Sequence, residues 1–165
     1  MILYYSMKRF IPILLICLAI GCTNKSTHSS AAQTDSLLCE LHERDQQIRH
    51  ELMRVQRAFI AEQRAELVDS IVMLVGEEER TDSLNRVVVD SLLQNGWPEG
   101  LSEQSNQTIW LIIDHGDVEY QERYLPLIEQ QAMRGIISLA DYATLSDRVN
   151  VRRQRPQRYG TQTGY

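Results

Sequence analysis

The sequence predicts an all-α fold: a single multi-helix domain with a short irregular or hairpin C-terminal extension. Three observations lead there. Apolar residues recur at steps of three and four through most of the chain, Ser, Thr or Asp stands ahead of several periodic segments, and Gly follows them. No internal repeat of solenoid length interrupts this pattern.

The first element is carried by Leu38, Leu41, Ile48, Leu52, Val55 and Phe59, an amphipathic stripe of coiled-coil character broken only at Asp45. A second pattern, Leu67, Ile71, Leu74 and Val75, follows with no Gly or Pro between, so one long helix and two shorter ones both fit. Gly76 and Glu77-Glu78-Glu79 read as the next boundary. Thr81 or Asp82 then caps a helix bearing Leu84, Val88 and Leu92, which Asn95-Gly96 ends and Pro98 follows. Val87-Val88-Val89 would suit a strand, but the Leu84 to Leu92 spacing and the flanking Asp and Asn favour helix. Thr108 to Ile113 is apolar almost all round, which predicts a central, buried helix. A further helix spans about Val118 to Arg134, bent or restarted by Pro126 and closed by Gly135. Ser138 caps the last one, through Leu139, Tyr142, Leu145 and Val149, before a basic, Gln-rich tail.

The N-terminus has a different character. Lys8-Arg9, a short apolar core and Ala19-Ile20-Gly21 ahead of Cys22 form an export signal ending in a lipobox-like cleavage site, with Met1 or Met7 as the start. A Cys directly after such a cut is the acylation site of bacterial lipoproteins, and each acyl methylene adds about 0.8 kcal/mol of membrane affinity. The expected organisation is a signal peptide over 1–21, a flexible tether over 22–36 rich in Ser, Thr, Ala and Gln, and a helical domain over 37–165. Localisation follows: the bacterial cell envelope, lipid-anchored to a membrane on the periplasmic face or at the cell surface.

The chain has 17 basic and 22 acidic residues. Removing Met1 to Gly21 takes away Lys8 and Arg9 and no acid, leaving 15 basic against 22 acidic residues and a formal charge of −7. That balance argues against nucleic acid as a partner. Of the 3 cysteines, Cys17 leaves with the signal and Cys22 is acylated, so Cys39 has no intramolecular partner and no disulfide framework is expected.

Candidate chemistry centres on His115. It reads as a general base with Asp117 or Asp147 as orienting acid, as a metal ligand, or as a helix-end His bonded to a carboxylate or a carbonyl. No metal is expected, because no H-x-x-x-H or C-x-x-C spacing is present, and no cofactor is expected. No G-x-S-x-G elbow supports Ser-based acyl transfer. Asp45 needs a partner, since an unpaired carboxylate on an apolar stripe is costly, and Arg49 lies four residues on. A wider polar network is expected to draw together Asp45, Arg49, His115, Asp117, Gln121, Asp147, Arg148, Tyr159 and Gln162, chiefly to set helix register. Arg148, Arg152, Arg153, Arg155 and Arg158 concentrate charge near the end and are expected to dock against the acidic helices, with Tyr159-Gly160-Thr161-Gln162 packing on the core. Trp97 and Trp110 read as core anchors.

Several separated segments carry a resemblance. Asp45-Gln46-Gln47-Ile48-Arg49, Asp82 with Asn85, Gly96-Trp97-Pro98, Trp110 to Asp117, Tyr124-Leu125-Pro126-Leu127, Asp147-Arg148 and Gln157 to Gln162 occur in the order of an uncharacterised bacterial family of unknown function. The chain resembles that family from Leu37 to Gln162, with Asp114 where the family pattern has Gln and Gly116 where it has Ala. The resemblance implies no activity. The expected role is a lipid-anchored binding or interaction domain for an unknown protein or small-molecule ligand. The alternatives are a hydrolase-like enzyme using His115 with Asp117 or Asp147, and a structural envelope component.

Overall fold

The computed structural model describes residues 24–163 of the chain; the expected export signal over 1–21 and the expected acylation site at Cys22 lie outside them. Among the described residues there are five helices and no strand: α1 (Asn24–Glu62), α2 (Leu67–Leu93), α3 (Glu103–Asp114), α4 (Val118–Met133) and α5 (Leu139–Arg152). None is long and apolar enough to cross a membrane.

α1 is 39 residues long and reaches back through the segment expected to be a flexible tether. Two contacts hold its residues Ala31 and Asp35 against the domain. Asp35 Oδ1 accepts from the Ser102 backbone N–H at 3.0 Å, and Ala31 lies against Gly100, whose added Cβ would sit 3.8 Å from Ala31 Cβ. The expected stripe is seen, with Leu38, Leu41, Asp45, Leu52 and Val55 all buried. The helix stops at Gln63, whose φ of 53° is a left-handed conformation that lets its N–H reach Phe59 O at 2.9 Å.

α2 corrects the boundary expected at Gly76. The helix runs unbroken through Gly76 and the acidic triplet, and neither Thr81 nor Asp82 caps anything. A single Gly costs a helix about 1 kcal/mol, too little to break one packed along its length against α1. Continuity also turns the helix relative to expectation: Asn85, Val89 and Leu93 are buried while Leu84 is 50% exposed. The inward stripe is therefore Leu67, Ile71, Leu74, Glu78, Asp82, Asn85, Val89 and Leu93, apolar at both ends and polar in the middle. Its polar middle faces Asp45 and Arg49 of α1 and divides the interior in two. One cluster holds Leu52, Val55 and Leu74, where only α1 and α2 meet. The larger holds Leu38, Val89, Ile109, Ile113, Ile128 and Leu145 and joins all five helices.

α3 is the central helix that its composition predicts, with Thr108, Ile109 and Ile113 fully buried. Ser102 caps it, accepting from Ser105 N at 3.2 Å, Asp117 caps α4, and Ser138 caps α5. Pro126 sits inside α4 without ending it, so the expected restart does not occur. Gly135, at φ 73°, turns the chain into α5. Trp97 donates to Asn106 Oδ1 at 2.7 Å and Trp110 to Asp141 O at 3.3 Å, each indole buried with its N–H satisfied.

The tail leaves α5 as irregular chain. Arg158, Tyr159 and Thr161 donate backbone N–H bonds of 2.6, 3.0 and 2.8 Å to the Asp147 carboxylate, and Tyr159 packs edge-on against Tyr142 with ring centres 5.9 Å apart. Gly160, at φ 74°, supplies the turn that aims these donors at one side chain.

Candidate functional site

The polar middle of α1 and α2 is the candidate site. Asp45 lies on the inward stripe of α1 with a side chain only 1% exposed. Its Oδ1 is 3.2 Å from His115 Nδ1, and its Oδ2 accepts from Gln46 at 2.8 Å and from Arg49 Nε at 3.3 Å. Arg49 then spans to α2, where its guanidinium meets Asp82 at 2.6 Å and also Glu78. Residues of three helices thus share one charge centre. The helical period explains the local assembly: Asp45 and Arg49 are one turn apart, as are Glu78 and Asp82, and the two pairs face each other across an antiparallel interface.

Burial works to raise the Asp45 carboxyl, but the His115 hydrogen bond and charge together with Arg49 outweigh it and hold the group below the usual carboxylate range. Burial likewise works against the charge on Arg49. Asp45 and Asp82 more than offset it.

Asp45, Asp82 and His115 also present ligand atoms within 4.8 Å of one another, a grouping that no local spacing in the sequence could reveal. The ligand types suit a divalent cation. Arg49, however, already bridges the two carboxylates and supplies positive charge there, leaving Glu78, Asp82 and Asp45 with one guanidinium among them. The arrangement is an ion-pair lattice open on one side, where His115, Arg49, Asp82 and Glu78 are each between 16 and 21% exposed.

The wider network expected from the sequence separates into distinct parts. His115 is the C-cap of α3, and its carboxylate partner is Asp45 of α1, so neither Asp117 nor Asp147 orients it. Asp117 instead caps α4, accepting from Tyr120 N at 2.8 Å. The Asp147 carboxylate is engaged by the tail, whose backbone donors outweigh burial and hold its pKa down. Arg148 pairs with Asp114, and Gln121 donates to Asp114 O at 2.5 Å. Burial raises the Asp114 carboxyl even with Arg148 beside it. Gln162 closes the tail through Gln157, its N–H bonded to Gln157 Oε1 at 2.9 Å. Tyr159 contributes its ring to Tyr142 and its N–H to Asp147, not to His115. Sequence reasoning missed Glu78, Asp114 and Asp82 as partners of these groups. The signal for two of them was present: Glu78 and Asp82 are polar at inward positions once α2 is read as one helix.

The arginines near the end fold back as expected except Arg158, whose guanidinium lies 5.3 Å from the centre of the neighbouring Tyr159 ring. Arg153 meets Glu119 at 3.1 Å and Glu122 at 2.8 Å, Arg155 meets Glu122 at 3.2 Å, and Arg152 donates to Gly116 O at 3.0 Å.

Fold and site together define a small all-α domain organised around a polar centre shared by three helices. The chain belongs to the family of unknown function DUF6624, whose model matches residues 32–165. No curated protein and no solved structure matches it.

Proposed function

We propose that this chain is a lipid-anchored bacterial envelope protein whose helical domain acts by binding. The address rests on Cys22, placed after a basic start, a short apolar core and a small residue. The observation that carries the binding role is the set of large apolar side chains that the α1–α2 arm leaves in water, Ile60, Val72 and Met73, each more than half exposed. The lattice of Asp45, Arg49, Glu78, Asp82 and His115, whose groups are bonded chiefly to one another, braces the helices that present them.

One feature favours the hydrolase-like alternative. A buried carboxylate on His115 Nδ1 fixes the tautomer and leaves Nε2 as the basic nitrogen, the arrangement used by catalytic histidines. The acid in that reading is Asp45, since Asp117 and Asp147 are engaged elsewhere.

Three measurements test the proposal. Mass spectrometry of the mature protein is expected to show a diacylglyceryl-modified N-terminal Cys22, and Cys22→Ser is expected to release the protein from membranes. Equal membrane association of both forms overturns the address. His115→Gln, assayed by complementation of a deletion strain, separates the roles: if the variant folds with wild-type stability yet loses all function, the catalytic reading replaces the binding one.

A further inference from the structure

One end of the bundle gathers features that nothing in the polar centre uses. The loop from Gln94 to Ser102 and the turn from Arg134 to Ser138 line a common cavity of about 350 Å³, walled by Trp97, Leu101, Asn106, Arg134 and Ile136. α1 enters the domain at this same end, through Ala31 against Gly100 and Asp35 against Ser102. Two large apolar side chains stand out from it, Met133 at 68% exposed and Leu139 at 61%. The opposite end is the α1–α2 turn, 27 residues further along α1 from Asp35, which at 1.5 Å per residue is roughly 40 Å away.

The position of the lipid relative to this end follows from the start of α1. Cys22 precedes the helix by a single residue, Thr23, and α1 is regular from Asn24 to the domain contact at Ala31. That stretch of helix is roughly 10 Å long. A flexible tether over the same segment would let the domain turn freely above the bilayer. A short helical stalk does not.

We propose that the end of the domain formed by the 94–102 loop and the 134–138 turn rests on the lipid surface, with Met133 and Leu139 entering the headgroup layer. This rests on the lipid anchor at Cys22. Charge does not drive the contact, because Glu99 and Glu103 flank Arg134 at this end. The driving terms are the anchor, which makes the contact intramolecular, and the apolar area of two side chains already exposed to water. The α1–α2 arm, with Val72 and Ile60 exposed near its tip, then points away from the bilayer.

The test uses the full acylated chain in phosphatidylcholine vesicles, with Cys39→Ser removing the free thiol. An environment-sensitive dye is placed at Leu139→Cys, at Met133→Cys as a second site, and at Val72→Cys as the distal control. Flotation with the vesicles reports the anchor, and iodide quenching reports the orientation. Quenching at 139 and 133 is expected to fall at least about threefold relative to the soluble Cys22→Ser protein, with position 72 unchanged. If the protein floats but 139 and 133 are quenched as in solution, the resting surface is wrong and the anchor stands. If the acylated chain fails to float, the anchor and the inference both fall.

Discussion

His115 Nδ1 and Asp45 Oδ1 lie 3.2 Å apart, joining the C-terminal end of α3 to the middle of α1. The bond ties the five-helix core to the two-helix arm at the level where their apolar clusters part. His115→Ala is therefore expected to lower unfolding free energy by about 1.5–3 kcal/mol, as for a hydrogen bond to a charged group. Urea denaturation measures it, and a double-mutant cycle with Asp45→Asn should return a coupling of about 1 kcal/mol or more. Additive effects of the two substitutions would show that the pair does not couple.

Asp147 gives the domain an acid-sensitive clasp. Its folded pKa is depressed, so the unfolded chain binds the proton more readily. The stability it contributes is complete above the unfolded value of about 3.9 and is lost as pH falls through the lower folded value. Asp45 acts in the same direction. Asp114, with a raised folded pKa, acts in the opposite one: acidification relieves its buried charge. Melting curves from pH 7 to 3 should show Asp147→Asn destabilised by about 2–4 kcal/mol at neutral pH, the gap closing as the wild-type carboxylate is protonated. A gap independent of pH would contradict the assignment.

Gly116 keeps α3 and α4 close. A Cβ there would sit 2.6 Å from Tyr120 Cδ1 and 3.1 Å from Ile113 O. The Tyr120 ring is buried, between Arg86 and Arg123 and edge-on to Tyr124, and has little room to yield. Gly116→Ala is expected to cost about 1–3 kcal/mol by overpacking, measured by thermal melts. A neutral result would mean that the ring moves freely.

Gln63 ends α1 with φ at 53°, a conformation that costs a residue with a Cβ about 1 kcal/mol. Gln63→Gly is expected to stabilise the arm by about 0.5–1 kcal/mol, seen as slower amide exchange over residues near the turn. Faster exchange there would show that loss of chain stiffness outweighs the relieved strain.

Much of the fold was legible because helical periodicity is a local property. The α1 stripe with its break at Asp45, the buried α3, the Ser138 cap and the docking of the tail were all readable from spacing and residue type. Gly76 misled because local propensity suggested a boundary, where packing along α1 keeps α2 whole. Once α2 is divided there, Glu78 and Asp82 lose their inward register, and the second half of the charge centre disappears from view.

The sequence by itself determined that the domain would be all-α, where the stripes of α1 and α3 lie, and which carboxylates and histidine would need partners, since periodicity and the cost of buried charge depend only on local spacing. Only the tertiary structure decided the pairing. Asp45 took His115 from α3 and Arg49 took Glu78 and Asp82 from α2, because each of these partners lies far along the chain and is brought near only by the way the helices stack.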